Sequence, residues 1–344
     1  MTATTGVPTP ARAPVAARMR LDPTMRRLLV LLAALVLVFA LLLGRSLFSP
    51  GTLFSMGIQL PEFAILSLAM MLTLLSGGLD LSIIATADLS ALTAAYVLHA
   101  LMPQAGIVGI IAALAAGLGV ALLVGLINGI LIAMLDVSPI LATLGTMTAI
   151  KGLGVGLTHG GVISGFPAVI TFLGNGTLFG IPFSLFILAA LVVPLGLMLS
   201  RSPLGTFIMF TGTDPNVVRF SGISTNKIIL KVYVLSALLS AIAGFIMMGR
   251  FNSANPSYGE SYLLVTILAA VLGGIDPNGG FGKIGGLLVA LVILQLISTA
   301  FNLLGLNPFL TLAIWGGTLI VTVGFSVLRN SFVQSFRPLG KSRT

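Results

Sequence analysis

No cysteine occurs among the 344 residues, so neither a disulfide framework nor a cysteine metal site can form. Charge is scarce as well: Asp, Glu, Lys and Arg make up 7% of the chain, 8 acidic residues against 17 basic ones. The two histidines, His99 and His159, have no His or Cys neighbour at metal-ligand spacing. No nucleophile with its base can be assembled either, which argues against an enzyme. The glycine-rich Gly279-Gly280-Phe281-Gly282-Lys283 is not a phosphate loop. Pro277 stands where the first glycine of such a loop belongs, and Ile284 replaces the Ser or Thr that would meet magnesium. The chain therefore carries no visible machinery for binding ATP. Its net charge of +9 does not point to nucleic acid, because the basic residues neither line a face nor interleave with aromatics.

What is present is apolar: 57% of residues are hydrophobic, 41 are glycine, and mean hydropathy is +1.15. No soluble domain is expected to have this composition. A bilayer core about 30 Å thick takes roughly 20 apolar residues per helix, and such runs follow one another along the chain. Expected spans are Leu28 to Leu43, Leu53 to Leu75, Leu79 to Leu101, Ile107 to Leu135, Ile140 to Leu157, Ile181 to Leu199, Ile228 to Met248, Tyr262 to Leu272, Ile284 to Leu304 and Phe309 to Phe325. The expectation is an all-α polytopic membrane protein of about ten helices. Arg12, Arg18, Arg20, Arg26 and Arg27 precede the first run, and Arg329, Arg337, Lys341 and Arg343 follow the last. The positive-inside rule then puts both termini in the cytoplasm. Residues 1–27 are expected to be a disordered basic tail, 28–328 the membrane domain, and 329–344 a second tail. The first run has no small-x-small cleavage site behind it and reads as a retained anchor.

One polar stretch, Leu204 to Lys227, interrupts this pattern on the cytoplasmic side. Asp214 is placed to cap a helix, Pro215 fits its first position, and Gly222 falls where a left-handed stop belongs. A helix of about two turns is not stable alone, so Val217, Val218 and Phe220 require a surface to cover. A partner's groove would supply one, with Arg219 free to pair with an acidic rim. Folding back on its own chain is the plainer alternative.

Ionisable groups inside a bilayer are costly and tend to mark function. Asp80 reads as a structural cap in a glycine-rich turn, Asp88 lies about two turns deeper, and Glu62 follows Pro61 within an apolar run. No basic residue is placed by sequence to pair with any of them. Neutral polar residues recur instead: Asn128, then Thr143 and Thr146, then Gln295, Ser298, Thr299 and Asn302. Gln295, Thr299 and Asn302 share a helical face. Donors and acceptors without fixed charge suit a hydroxylated solute, and they equally suit interhelical hydrogen bonding. A weak echo links Ser76-Gly77-Gly78-Leu79-Asp80 with Leu272-Gly273-Gly274-Ile275-Asp276, and Ser138-Pro139-Ile140-Leu141 with Asn307-Pro308-Phe309-Leu310. Two related halves would explain it.

Three segments together resemble the permeases of binding-protein-dependent ABC importers, in their ribose-type sugar family. Ser76-Gly77-Gly78-Leu79-Asp80-Leu81-Ser82 is similar to that family's Gly-Gly-Ile-Asp-Leu-Ser segment. Pro203-Leu204-Gly205 followed by Gly212, Arg219, Ser221, Gly222 and Ile223 resembles its central loop. Ala270-Val271-Leu272-Gly273-Gly274, with Gly279-Gly280, Gly282 and Gly285-Gly286, resembles its cytoplasmic turn. The likeness runs from about Phe54 to Phe325 and includes Ser138-Pro139-Ile140-Leu141-Ala142-Thr143-Leu144-Gly145-Thr146. Departures are Asp214 for a usual Asn, Val217-Val218 for Ala-Ala, Ile83-Ile84 for Val-Gly and Ile275-Asp276 for Thr-Ser.

The resemblance implies that 204–227 carries a coupling helix resting on an ATP-binding cassette subunit, which would hold the ATP and magnesium. It implies a second permease subunit, the same chain or a paralogue, and a soluble solute-binding protein outside a bacterial inner membrane. The expected cargo is a monosaccharide or polyol moved by alternating access. Branched-chain amino acids or nucleosides are the alternative cargo, and an ion-coupled secondary transporter the alternative class.

Overall fold

The computed structural model describes residues 22–101, 106–307, 309–311 and 313–320. Residues 1–21 of the expected 1–27 tail and the whole expected tail over 329–344, and with them the side on which each terminus ends, lie outside the described residues, whereas 23–27 belong to the first helix. The helices are α1 (Pro23–Leu43), α2 (Pro50–Leu75), α3 (Ile83–Leu101), α4 (Gly106–Ala133), α5 (Pro139–Thr158), α6 (Ala168–Asn175), α7 (Phe183–Arg201), α8 (Pro203–Thr213), α9 (Pro215–Phe220), α10 (Thr225–Phe251), α11 (Tyr262–Leu272) and α12 (Ile284–Leu303). An apolar helical stretch, Phe309–Ile320, follows. Eight helices, α1 to α5, α7, α10 and α12, are long and apolar enough to cross a membrane. The other two expected spans are shorter, and α1 begins at Pro23, before the expected boundary at Leu28.

Sequence explains many of the boundaries. Pro50, Pro139, Pro203 and Pro215 each open a helix at a position whose N–H has no intrahelical partner. Ser49, Ser202 and Asp214 cap three of these by accepting from Thr52, Gly205 and Asn216 backbone N–H groups. The echoing segments close two helices alike. Gly77 and Gly274 adopt φ of 82° and 85°, so the chain turns off α2 and α11 through a left-handed residue. Asp80 and Asp276 then each accept the backbone N–H two residues on.

The core centres on α2, whose residues Pro61 to Leu75 are all buried, packed by α10, α11 and α12. The outward faces of α1, α4 and α7 carry exposed Leu, Ile and Val, as a lipid-facing surface requires. β1 (Ile163–Ser164) pairs antiparallel with β4 (Ser253–Ala254), and β2 (Thr177–Leu178) with β3 (Ile181–Pro182). These short ladders lie at one end of the helix bundle. At the other end, one cavity of about 780 Å³ is lined by Asp22 of the α1 start, Ser200 of α7, Phe210 of α8 and Lys283 before α12. Lys283 donates to Asp22 at 2.7 Å, which holds the Asp22 carboxyl below its usual range. Arg26, Arg27, Arg201, Arg219 and Lys227 flank the same end, so the positive-inside rule assigns it to the cytoplasm.

Candidate translocation site and coupling surface

Between α10 and α11 the chain is not helical: residues 252–261 leave β4 at the outer end and run inward to the start of α11. The depth is fixed by Glu62, the thirteenth of the 26 residues of α2. Tyr262 donates to Glu62 Oε1, and Arg250 Nε donates to Glu62 Oε2 at 2.8 Å while its second nitrogen reaches Oε1 at 2.7 Å. The Glu62 carboxylate is wholly buried, and the Arg250 side chain is 17% exposed. α11 is thus a half-helix, about 16 Å long, that starts at mid-depth. Sequence gave no pairing for Glu62, because Arg250 lies 188 residues away on another helix.

A cavity of about 290 Å³ opens beside that half-helix start. Its polar lining is Gln59 of α2, Ser261 and Tyr262, Gln295, Ser298 and Asn302 of α12, and Thr311. Gln295 donates to Gln59 at 3.2 Å and to Thr299 at 3.3 Å. Thr299 lines a neighbouring cavity of about 450 Å³ that shares Gln59 and Asn302 with the first and reaches Ser49 and Thr52 at the outer end. The four polar residues singled out on α12 therefore lie along two adjoining cavities. Among the described residues, none lining either cavity carries a formal charge.

The other three singled-out residues sit elsewhere. Thr146 donates to Asn128 Oδ1, Asn128 Nδ2 donates to Ser82, Ser82 donates to Asp80 Oδ1, and Ser236 donates to Asp80 Oδ2, at 2.6 to 3.0 Å. Thr143 donates to the Leu79 carbonyl at 3.1 Å. This chain of bonds ties α5, α4, the α3 entry and α10 together, with Asn128, Ser82 and Asp80 each about 1% exposed. Asp80 acts here as a cap: the Asp80 side chain receives the backbone N–H of Ser82 at 3.0 Å where α3 begins.

At the cytoplasmic end, the expected two-turn helix is α9, with Asp214 as its cap and Gly222 at φ 76°. Its apolar residues divide. Val218 is 1% exposed and packs on its own chain, whereas Phe220 is 91% and Val217 47% exposed. Arg219 donates to Thr225. Ser221 closes the helix by donating its hydroxyl to the Val217 carbonyl. The polar stretch before it is a helix too: α8 occupies 203–213. Gly212, near the α8 end, lies against the end of α2 and the turn before α12, where a Cβ would fall 2.5 Å from the Gly280 nitrogen.

A bundle of spanning helices with a half-helix opening on uncharged cavities defines a multi-pass membrane transport subunit. A family model described as branched-chain amino acid transport system, permease component, matches residues 52–323. The chain belongs to that permease family and is a multi-pass protein of the bacterial inner membrane. It is 33% identical over 262 residues to the ribose import permease protein RbsC of Bacillus subtilis (strain 168), covering 75% of this chain and 79% of the relative. It is 30% identical over 270 residues to the L-arabinose transport system permease protein AraH of Escherichia coli (strain K12), covering 78% and 80%. The autoinducer 2 import system permease protein LsrD of Yersinia pseudotuberculosis is 31% identical over 270 residues, covering 76% and 79%. No solved structure matches the chain.

Proposed function

We propose that this chain is the permease subunit of an ABC importer for a monosaccharide or sugar-like polyol. A separate ATP-binding cassette subunit, carrying the ATP and magnesium, drives it, and a soluble binding protein delivers the solute. A second permease subunit, a copy or a paralogue, completes the membrane core.

The observation that carries the cargo assignment is the lining of the two adjoining cavities. Gln59, Ser261, Tyr262, Gln295, Ser298, Thr299 and Asn302 offer amide and hydroxyl groups and no fixed charge. A neutral polyhydroxylated solute exchanges hydrogen bonds with such groups without a counter-ion. The inner cavity, about 290 Å³, is at the small end of ligand pockets, which span roughly 300–1,000 Å³. The names of the ribose, arabinose and autoinducer 2 relatives support the same class.

The family description favours a second reading, a branched-chain amino acid as cargo. A zwitterion could set its carboxylate against the α11 N-terminus, but neither cavity lining supplies an acidic side chain for its ammonium. Reconstitution in proteoliposomes with its ATPase and binding protein separates the two: ATP-dependent uptake of a labelled pentose or hexose, and not of labelled leucine, is expected. Leucine uptake without sugar uptake would replace the sugar reading by the amino-acid one. Uptake driven by an ion gradient without the ATPase would overturn both.

A further inference from the structure

Lys151 and Glu260 form an ion pair, and their side chains are 45% and 52% exposed. Lys151 sits on α5 about 18 Å from the Pro139 end and about 10 Å from the Thr158 end, at 1.5 Å per residue. Glu260 belongs to the non-helical segment, between Gly259, whose N–H meets the Asp88 carboxylate of α3 at 3.5 Å, and Tyr262, bonded to the middle of α2. Both charges therefore lie at bilayer depth, on a surface that no other part of the described chain covers.

Three environments can meet such a surface. Lipid is excluded twice over: charged side chains avoid hydrocarbon, and irregular backbone at that depth is tolerated only in protein or beside water. Ser257, Glu260 and Ser261 are exposed irregular backbone of this kind. A dry seam with another subunit would strip water from two charges whose pairing seldom repays that cost. Water is what remains.

Resting on the transport reading above, we propose that the α5 side carrying Lys151 and the 257–261 segment line the water-filled solute path, where the Lys151–Glu260 pair is a hydrogen-bonding station for a neutral polyol. Lys151 donates and Glu260 accepts, so the pair offers a hydroxylated solute both roles at zero net charge. The half-helix start, Ser261 and Tyr262, joins this station to the cavity beside α12.

The absence of cysteine makes the test direct. Thr148→Cys and Val155→Cys lie three before and four after Lys151, on the same helical side and exposed, and both are small conservative changes. In the assembled transporter, a membrane-impermeant methanethiosulfonate applied from either side should modify both positions, and transported sugar should slow the reaction severalfold. Phe179→Cys, 92% exposed at the outer end, is the positive control. Modification of Phe179→Cys with neither α5 position reacting from either side would overturn the proposal even if sugar uptake is normal. Rapid modification unaffected by transported sugar would also overturn it. Glu260→Gln and Lys151→Met should raise the uptake KM about tenfold, and an unchanged KM in both removes the station.

Discussion

Among single residues, the Glu62 carboxylate is the one whose removal or orphaning has the largest consequence. Its two oxygens are satisfied by Arg250 and Tyr262, joining α2, α10 and the half-helix α11 at mid-depth. Breaking a buried pair on one side leaves an uncompensated charge and costs about 3–5 kcal/mol. Arg250→Met should therefore lower the thermal midpoint of the detergent-solubilised protein sharply, with Glu62→Gln milder because no orphan anion remains. The double variant should recover most of the loss, and a double variant as unstable as Arg250→Met would show that the pair is not the cause. Asn128 sets a smaller stake. It sits between Thr146 and Ser82, so Asn128→Leu leaves the buried Ser82 hydroxyl without its donor, at about 1–3 kcal/mol, while Thr146 falls back on the Ala142 and Thr143 carbonyls. Uptake by the surviving Asn128→Leu protein should stay near wild type, since Asn128 touches neither cavity beside α12. A selective loss of uptake at normal stability would return Asn128 to the path. Neither role was legible in sequence. Polarity at helical spacing marks Asn128 and Gln295 alike, and only the packing of α4 on α10 against that of α12 on α2 separates a structural bond from a cavity lining.

At the scale of elements, long apolar runs fixed the eight spanning helices because a bilayer demands continuous hydrophobicity. The shorter α11 was visible as a short run, but its role as a half-helix was not, because the polar 252–261 segment looks like an ordinary outer loop until its depth is known. α9 was legible from its cap, proline and glycine, whereas α8 hid within the same polar stretch despite its Ser202-Pro203 opening. The exposed pair Val217 and Phe220 is what remains of the coupling expectation after Val218 turns inward. Phe220→Asp should leave folding unchanged, since the ring touches little, and should lower solute-stimulated ATPase activity of the assembled importer at least tenfold. Gly222→Val should do the same by a different route: a β-branched residue at φ 76° is strained by about 1–2 kcal/mol and unseats the α9 end. Wild-type coupling in both variants at normal expression would mean that α9 does not meet the ATPase.

For the molecule as a whole, the question is how motion at α9 reaches a cavity at mid-depth. The connection runs through backbone. Gly280 N–H donates to the Leu75 carbonyl at 3.0 Å, joining the turn before α12 to the end of α2. Gly212, near the end of α8, lies directly on that bond, and Gly77 and Gly279 crowd against it with no side chain between. The first echoing glycine segment, the turn before α12 and the helix that leads into α9 thus meet at one point, and the elements that diverge from it, α2 and α12, carry Gln59, Gln295, Ser298 and Asn302. Packed backbones of this kind shift as units rather than deform. Gly212→Ala, the smallest change, would already wedge the junction open, and because backbone atoms must give way its overpacking cost lies toward the upper end of about 1–3 kcal/mol. The expected outcome is a protein that inserts, binds the ATPase subunit with unchanged affinity and hydrolyses ATP at the basal rate, yet imports solute at least tenfold more slowly. That separation distinguishes Gly212 from Phe220, whose replacement should weaken ATPase binding itself. Co-purification yield, basal hydrolysis and uptake measured on one preparation decide it: uptake falling only in proportion to ATPase binding would place Gly212 in the docking surface and leave the glycine junction without a part in transmission.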